Sequence, residues 1–208
     1  MYTHEKSYIP ATAGIFLAMS AKYCTYIGNL FIGISLVGTA AIYWPVVYAY
    51  LFPVRTPLPP DTTFSIDIPS IGALAPIVPS VNPWNKDEYL SALSHGVAHA
   101  ASTALPGEEG TMYLFAHSSD APWRITRYNT IFLHLGKLKP GDPIYISYEG
   151  TKYTYRVTRS EVVWPNNIAP LVEAQAQNPR QTNKLLIVQT CTPIGTDIQR
   201  LLVYATLD

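Results

Sequence analysis

The feature that most constrains this chain is a long stretch without formal charge: between Lys22 and Arg55 there is no Asp, Glu, Lys or Arg. Within it, Tyr26 to Tyr50 (YIGNLFIGISLVGTAAIYWPVVYAY) is apolar on every face a helix would present. As a helix it is long enough to cross a hydrocarbon core of about 30 Å. Its aromatic ends, Tyr26 on one side and Tyr43, Trp44, Tyr48 and Tyr50 on the other, suit membrane interfaces. Pro45 is expected to kink or end the helix. No small-residue cleavage pattern follows directly, so a retained anchor is expected in place of a removed leader. The earlier apolar piece, Ala11 to Ala21, is too short to span alone. It either lies in the interface or extends the helix past Lys22; paired as a helical hairpin, it would leave the rest of the chain in the cytoplasm. Lys6 and Lys22 favour a single span with the N-terminus inside.

This divides the chain into an interfacial or cytoplasmic segment 1–25, a transmembrane helix 26–50, a linker 51–62 and a folded domain 63–208. The linker (LFPVRTPLPP at its start) is proline-rich and reads as a stiff, extended spacer. With zero net charge and only 13% charged residues, the chain has no basic block to neutralise phosphates. That composition excludes a nucleic-acid binder. Cys24 sits at the membrane edge and Cys191 near the C-terminus, so pairing between them is geometrically improbable. Cys191 is left as a lone thiol in the folded domain.

From Phe64 onward, short β-prone runs recur, broken by Pro, Gly and Asn. FSIDIPSIG alternates with Phe64, Ile66 and Ile68 on one face, and ALAPIVP follows as a second strand. YLSALSHGVAHA reads as a modest helix or irregular turn. TMYLFAH is a strand ending at His117. DPIYISY and YTYRVTRSEVVW form a hairpin with Glu149-Gly150 at its tip. LVEAQAQ has helical propensity. The expected fold is all-β: a closed barrel of about eight strands with short helices, behind the membrane helix.

The C-terminal run KLLIVQTCTPIGTDIQRLLVYATLD carries the chemistry. Two apolar strands flank TPIGTD, whose Pro193, Gly195 and Asp197 are turn residues. An antiparallel hairpin there sets Cys191 beside Arg200, a soft nucleophile against a fixed cationic donor, as acyl transfer requires. The thiol needs an imidazole. His117, at a strand end before the polar loop SSDAPW, is the preferred one. His4 lies across the anchor, and His134 sits in apolar FLHLGKL as a core or edge residue. His95 and His99 are four apart, a zinc-like spacing, but no further Cys or His completes a set.

These residues resemble the sortases, a family of membrane-anchored cysteine transpeptidases, from about Phe64 to the C-terminus. IDIPSIGALAPI is similar to the family's first strand and turn, and GVAHAASTALPGEEGTMYLFAH to the segment leading into the catalytic histidine. IFLHLGKLKPGDPIYISYEGTKYTYRV resembles the middle strands. IVQTCTPIGTDIQRLLV resembles the TLxTC-to-Arg segment, with Ile187-Val188 in place of Thr-Leu. The resemblance implies Cys191 as nucleophile, His117 as acid and base, and Arg200 at the oxyanion. Thr190 and Ser118, next to the first two, are expected to contact substrate; Ser118 stands where many relatives carry Arg. CTPIG and GVAH–ALPGE lean toward the pilus-assembling branch, yet the short spacer leaves no room for that branch's lid. Implied partners are proteins with LPxTG-like sorting signals, an amine acceptor (cell-wall precursor or pilin lysine) and the membrane, with the catalytic domain extracellular. No cofactor and no metal are expected. Some relatives bind calcium, but Glu108, Glu109 and Asp120 do not by their spacing make a calcium site. Two other readings compete: a hydrolase releasing the peptide to water, and a non-catalytic anchored β-domain that binds peptides or assembly partners.

Overall fold

The computed structural model describes residues 11–51, 57–119, 128–176 and 182–208. The chain divides into two compact units, Met1–Trp44 and Pro45–Asp208. The first is helical from Ala11 onward. Helix α1 (Ala11–Leu51) is continuous, so the piece at Ala11 extends the long apolar helix and forms no hairpin with it. The helix also runs on through Pro45; a proline removes one backbone bond, and apolar helices accommodate that loss. Lys22–Trp44 is long and apolar enough to cross a membrane, and its side chains are exposed.

The second unit is a closed barrel in the order β1-β2-β3-β4-β7-β8-β6-β5. β1 (Phe64–Ile68) buries Phe64, Ile66 and Ile68, as its alternation predicts. A turn of 3₁₀ helix at Pro69–Ile71 leads through Gly72, in the left-handed region at φ 68°, into β2 (Ala73–Val81). β2 and β3 (Val97–Ala100) are parallel, so the chain must cross over between them. Helix α2 (Lys86–His95) is that crossover. Asn85 caps it, its side chain accepting from the amides of Asp87 and Glu88. β3 occupies the sequence expected to be irregular. It is four residues, VAHA, all buried under α2 and β4 (Gly110–Phe115).

β5 (Pro143–Tyr148) and β6 (Thr151–Val163) form the expected hairpin. Its tip, Glu149 at φ 48° and Gly150 at φ 80°, has the two left-handed residues that match the twist of paired strands. Helix α3 (Ala169–Gln175) precedes β7 (Lys184–Thr192), which lies parallel to β4 and antiparallel to β8 (Gln199–Leu207). β1 pairs with β5 and closes the barrel. Its interior holds Ile66, Ile68, Leu114, Ile144, Ile146, Leu186, Val188 and Val203, all fully buried.

His95 and His99 do not share a helix face. His95 ends α2, bonded to the Ser91 carbonyl at 2.8 Å. His99 is inside β3, its Nε2 meeting Thr103 Oγ1 at 2.9 Å and the Ala104 carbonyl at 3.1 Å. Burial lowers its pKa, so it is a neutral core histidine. His134 is likewise buried.

Candidate active site

The β7–β8 hairpin pairs Cys191 directly with Arg200, and Thr192 with Gln199. Directly opposed residues project to the same face with Cβ atoms about 5 Å apart. Period-two alternation puts Leu186, Val188 and Thr190 inward, and Ile187, Gln189 and Cys191 outward. The intervening turn is held by Thr196, whose amide and hydroxyl both donate to the Pro193 carbonyl, at 3.0 and 2.8 Å. Arg200 folds back on this turn. Its Nη1 donates to the Asp197 carbonyl at 2.8 Å and the Gln199 carbonyl at 3.1 Å. The guanidinium is thus anchored through one nitrogen, with the others unpartnered among the described residues.

The third group arrives on β4. Its parallel register with β7 ends at Phe115 opposite Gln189. Two bonds carry the pairing further: the Ala116 amide donates to the Gln189 carbonyl at 3.2 Å, and Thr190 Oγ1 donates to the Ala116 carbonyl at 2.9 Å. Continuing that register sets His117 level with Cys191. The His117 carbonyl accepts from the Phe132 amide at 3.2 Å, which fixes the backbone just past the strand. Beyond it, the Gly195 amide donates to Ser119 Oγ at 2.7 Å, tying the loop after His117 to the β7–β8 turn.

Thr190 is buried on the inner face, and its hydroxyl holds β4 against β7. Ser118 is buried too, with no partner for its hydroxyl among the described residues. The loop SSDAPW lies beyond the described residues from position 120, and Asp120 with it. Cys24 and Cys191 are both free thiols. Among the described residues no three metal-ligating side chains converge; Glu108, considered for calcium, caps the Leu105 amide at 2.8 Å.

Cys191 is half-buried. Burial pushes its thiol above the ordinary range, Arg200 pulls it down, and Asp197 adds to the rise. The resting sulfur therefore keeps its proton at neutral pH and needs a base to become a nucleophile. Two neighbours escape a reading of the sequence. Tyr89, on α2, stacks parallel on Phe115 with ring centroids 5.1 Å apart. Its phenol is raised to about 12, first by burial and then by Cys191, with Arg200 opposing. Tyr113 donates to Gln189 Oε1 at 2.6 Å on the same outer face. The tyrosine-to-site contacts join distant parts of the chain, so no local spacing announces them.

The sortase-domain family model matches residues 66–208. No curated protein matches the chain. Among solved structures, a lid mutant of sortase A from Corynebacterium diphtheriae is 30% identical, covering 78% of this chain and 77% of its own, with TM-score 0.56. Sortase C-1 from Actinomyces oris is 28% identical over 79% of this chain and 82% of its own, also with TM-score 0.56. A sortase D5 transpeptidase from Clostridium perfringens is 27% identical, covering 71% and 79%, with TM-score 0.54. A closed barrel with this match over its whole length belongs to the sortase family, a family of transpeptidases. Similarity is level across classes A, C and D and does not sort the chain into one of them.

Proposed function

We propose that this chain is a membrane-anchored cysteine transpeptidase acting through Cys191, His117 and Arg200. The observation that carries the reading is the cross-strand pair of Cys191 and Arg200; His117 follows two residues after the end of β4, where continuing the β4–β7 register would bring it level with Cys191. The donor is a protein bearing an LPxTG-like sorting signal. Cys191 gives its proton to His117, and the thiolate attacks the Thr–Gly carbonyl carbon. The C–N bond breaks as the imidazolium protonates the leaving amine, and a thioester remains. An acceptor amine, from a cell-wall peptide or a pilin lysine, then loses a proton to the imidazole and attacks the thioester. The new amide forms and the thiolate is released. The Arg200 N–H groups that have no partner among the described residues, with backbone amides near Cys191, stabilise the oxyanion in both steps.

These steps draw on no cofactor. Helix α1 would hold the enzyme as a single-pass protein with the barrel outside the cell, where donor and acceptor share its surface. Tethering raises their effective concentration around the thiol.

Intact-mass measurement after mixing the full chain with a pool of LPxTG-like peptides tests the reading. Wild type should gain the mass of the acyl fragment and Cys191→Ala should not. Product analysis with and without added amine separates transfer from plain hydrolysis. One observation favours a second reading, a peptide-binding domain without chemistry: burial raises the Cys191 thiol. A thiol that yields no adduct and alkylates sluggishly would decide for it.

A further inference from the structure

Gln189 is the one polar side chain in the run LLIVQ that leads to the proposed nucleophile. It shares the outer face of β7 with Cys191, two residues away and about 7 Å along the strand. In the sheet it lies between Phe115 on β4 and Leu202 on β8. Tyr89 covers Phe115. A carboxamide in such apolar company is costly unless its groups are bonded.

One of them is. The Tyr113 hydroxyl reaches the amide at 2.6 Å. That separation suits O–H···O, whereas N–H···O contacts centre near 2.9 Å. The oxygen of Gln189 therefore faces Tyr113, and the nitrogen is turned away. Burial raises the phenol of Tyr113, so it stays a donor throughout the neutral range. The Gln189 nitrogen, with its two N–H groups, has no partner among the described residues. A peptide laid along the outer face of β7 toward Cys191 would meet those donors.

We propose that Gln189 is a backbone-binding residue of the acyl-donor subsite, its carboxamide oriented by Tyr113 to donate to a main-chain carbonyl of the donor just upstream of the attacked bond. The inference rests on Cys191 being the nucleophile. Tyr113 acts through Gln189 and is a positioning residue.

A double-mutant cycle tests it, on the full chain in detergent, with quenched-fluorescent Leu-Pro-Xaa-Thr-Gly peptides and triglycine as acceptor. Gln189→Ala should lower kcat/KM on the order of tenfold. Tyr113→Phe, which frees the amide to turn, should cost about threefold alone and nothing further in the Gln189→Ala background. Alkylation of Cys191 by iodoacetamide, a reagent too small to need the subsite, should be unchanged in all variants. The proposal is overturned if Gln189→Ala stays within about twofold of wild type, if Tyr113→Phe costs the same in both backgrounds, or if alkylation falls in step with kcat/KM. Turnover surviving in Cys191→Ala would instead overturn the proposed function, and this inference with it.

Discussion

At Cys191, influences of opposite sign meet: burial, with Asp197 adding to it, disfavours the thiolate and Arg200 favours it, with burial the largest. A raised thiol is protonated over a wider range, so thiolate appears only as pH climbs past the free-cysteine value of about 8.5. The alkylation rate of Cys191 should keep rising there, with no plateau at that point. Replacing Arg200 with Gln removes the favourable charge and should move the profile to still higher pH. Turnover should fall further than alkylation, on the order of 10²–10³, because the proposed oxyanion donor is lost as well. A turnover loss of tenfold or less would reduce Arg200 to a binding role. At this scale the sequence is informative where contacts are local: Cys191 and Arg200 meet across one hairpin. Gln189 meets Tyr113 from 76 residues away, and nothing in either neighbourhood signals it.

Elements were legible in proportion to how much of their structure is local. The β5–β6 hairpin announces itself through alternation and Glu149-Gly150, and so does β7–β8 through TPIGTD. β3 does not. GVAHA continues a helical pattern, and its Ala and His residues carry no strand preference of their own. It is a strand because small side chains fit between β2, β4 and α2. Gly96, at the turn from α2 into β3, makes this packing testable. A Cβ there would run into the Pro76 carbonyl oxygen on β2, which is backbone and has little room to yield. Gly96→Ala should cost about 1–3 kcal/mol. Asn85→Ala, which removes the cap from the same helix, should cost about 1 kcal/mol. Calorimetry ranks the two, and a Gly96→Ala variant no less stable than wild type would mean the crossover has slack.

Among the described residues, the buried hydrophobic core of the barrel is drawn from residues 64–205. The apolar side chains of α1, such as Ile27, Phe31, Leu36 and Val37, stay exposed. A fragment from Pro57 to Asp208 should therefore fold without detergent, melt within about 5 °C of the full chain and alkylate at Cys191 at the same rate. A molten or aggregating fragment would show that the helical unit contributes to the fold. The apolar helix and the barrel could be told apart in the sequence because their compositions differ so sharply, although the helix runs over Ala11–Leu51 and not only 26–50. The order of strands around the barrel could not, since the parallel β2–β3 and β4–β7 pairings join segments that are not adjacent hairpins.

Barrel closure has a bearing on how a guest chain is held. Every strand already has two neighbours, so an incoming peptide cannot enrol as a ninth. Its backbone must be met by side chains and loops instead of by a ready-made ladder. Those can be exchanged one at a time without disturbing the barrel, so lineages built on this scaffold are free to drift toward new cargo.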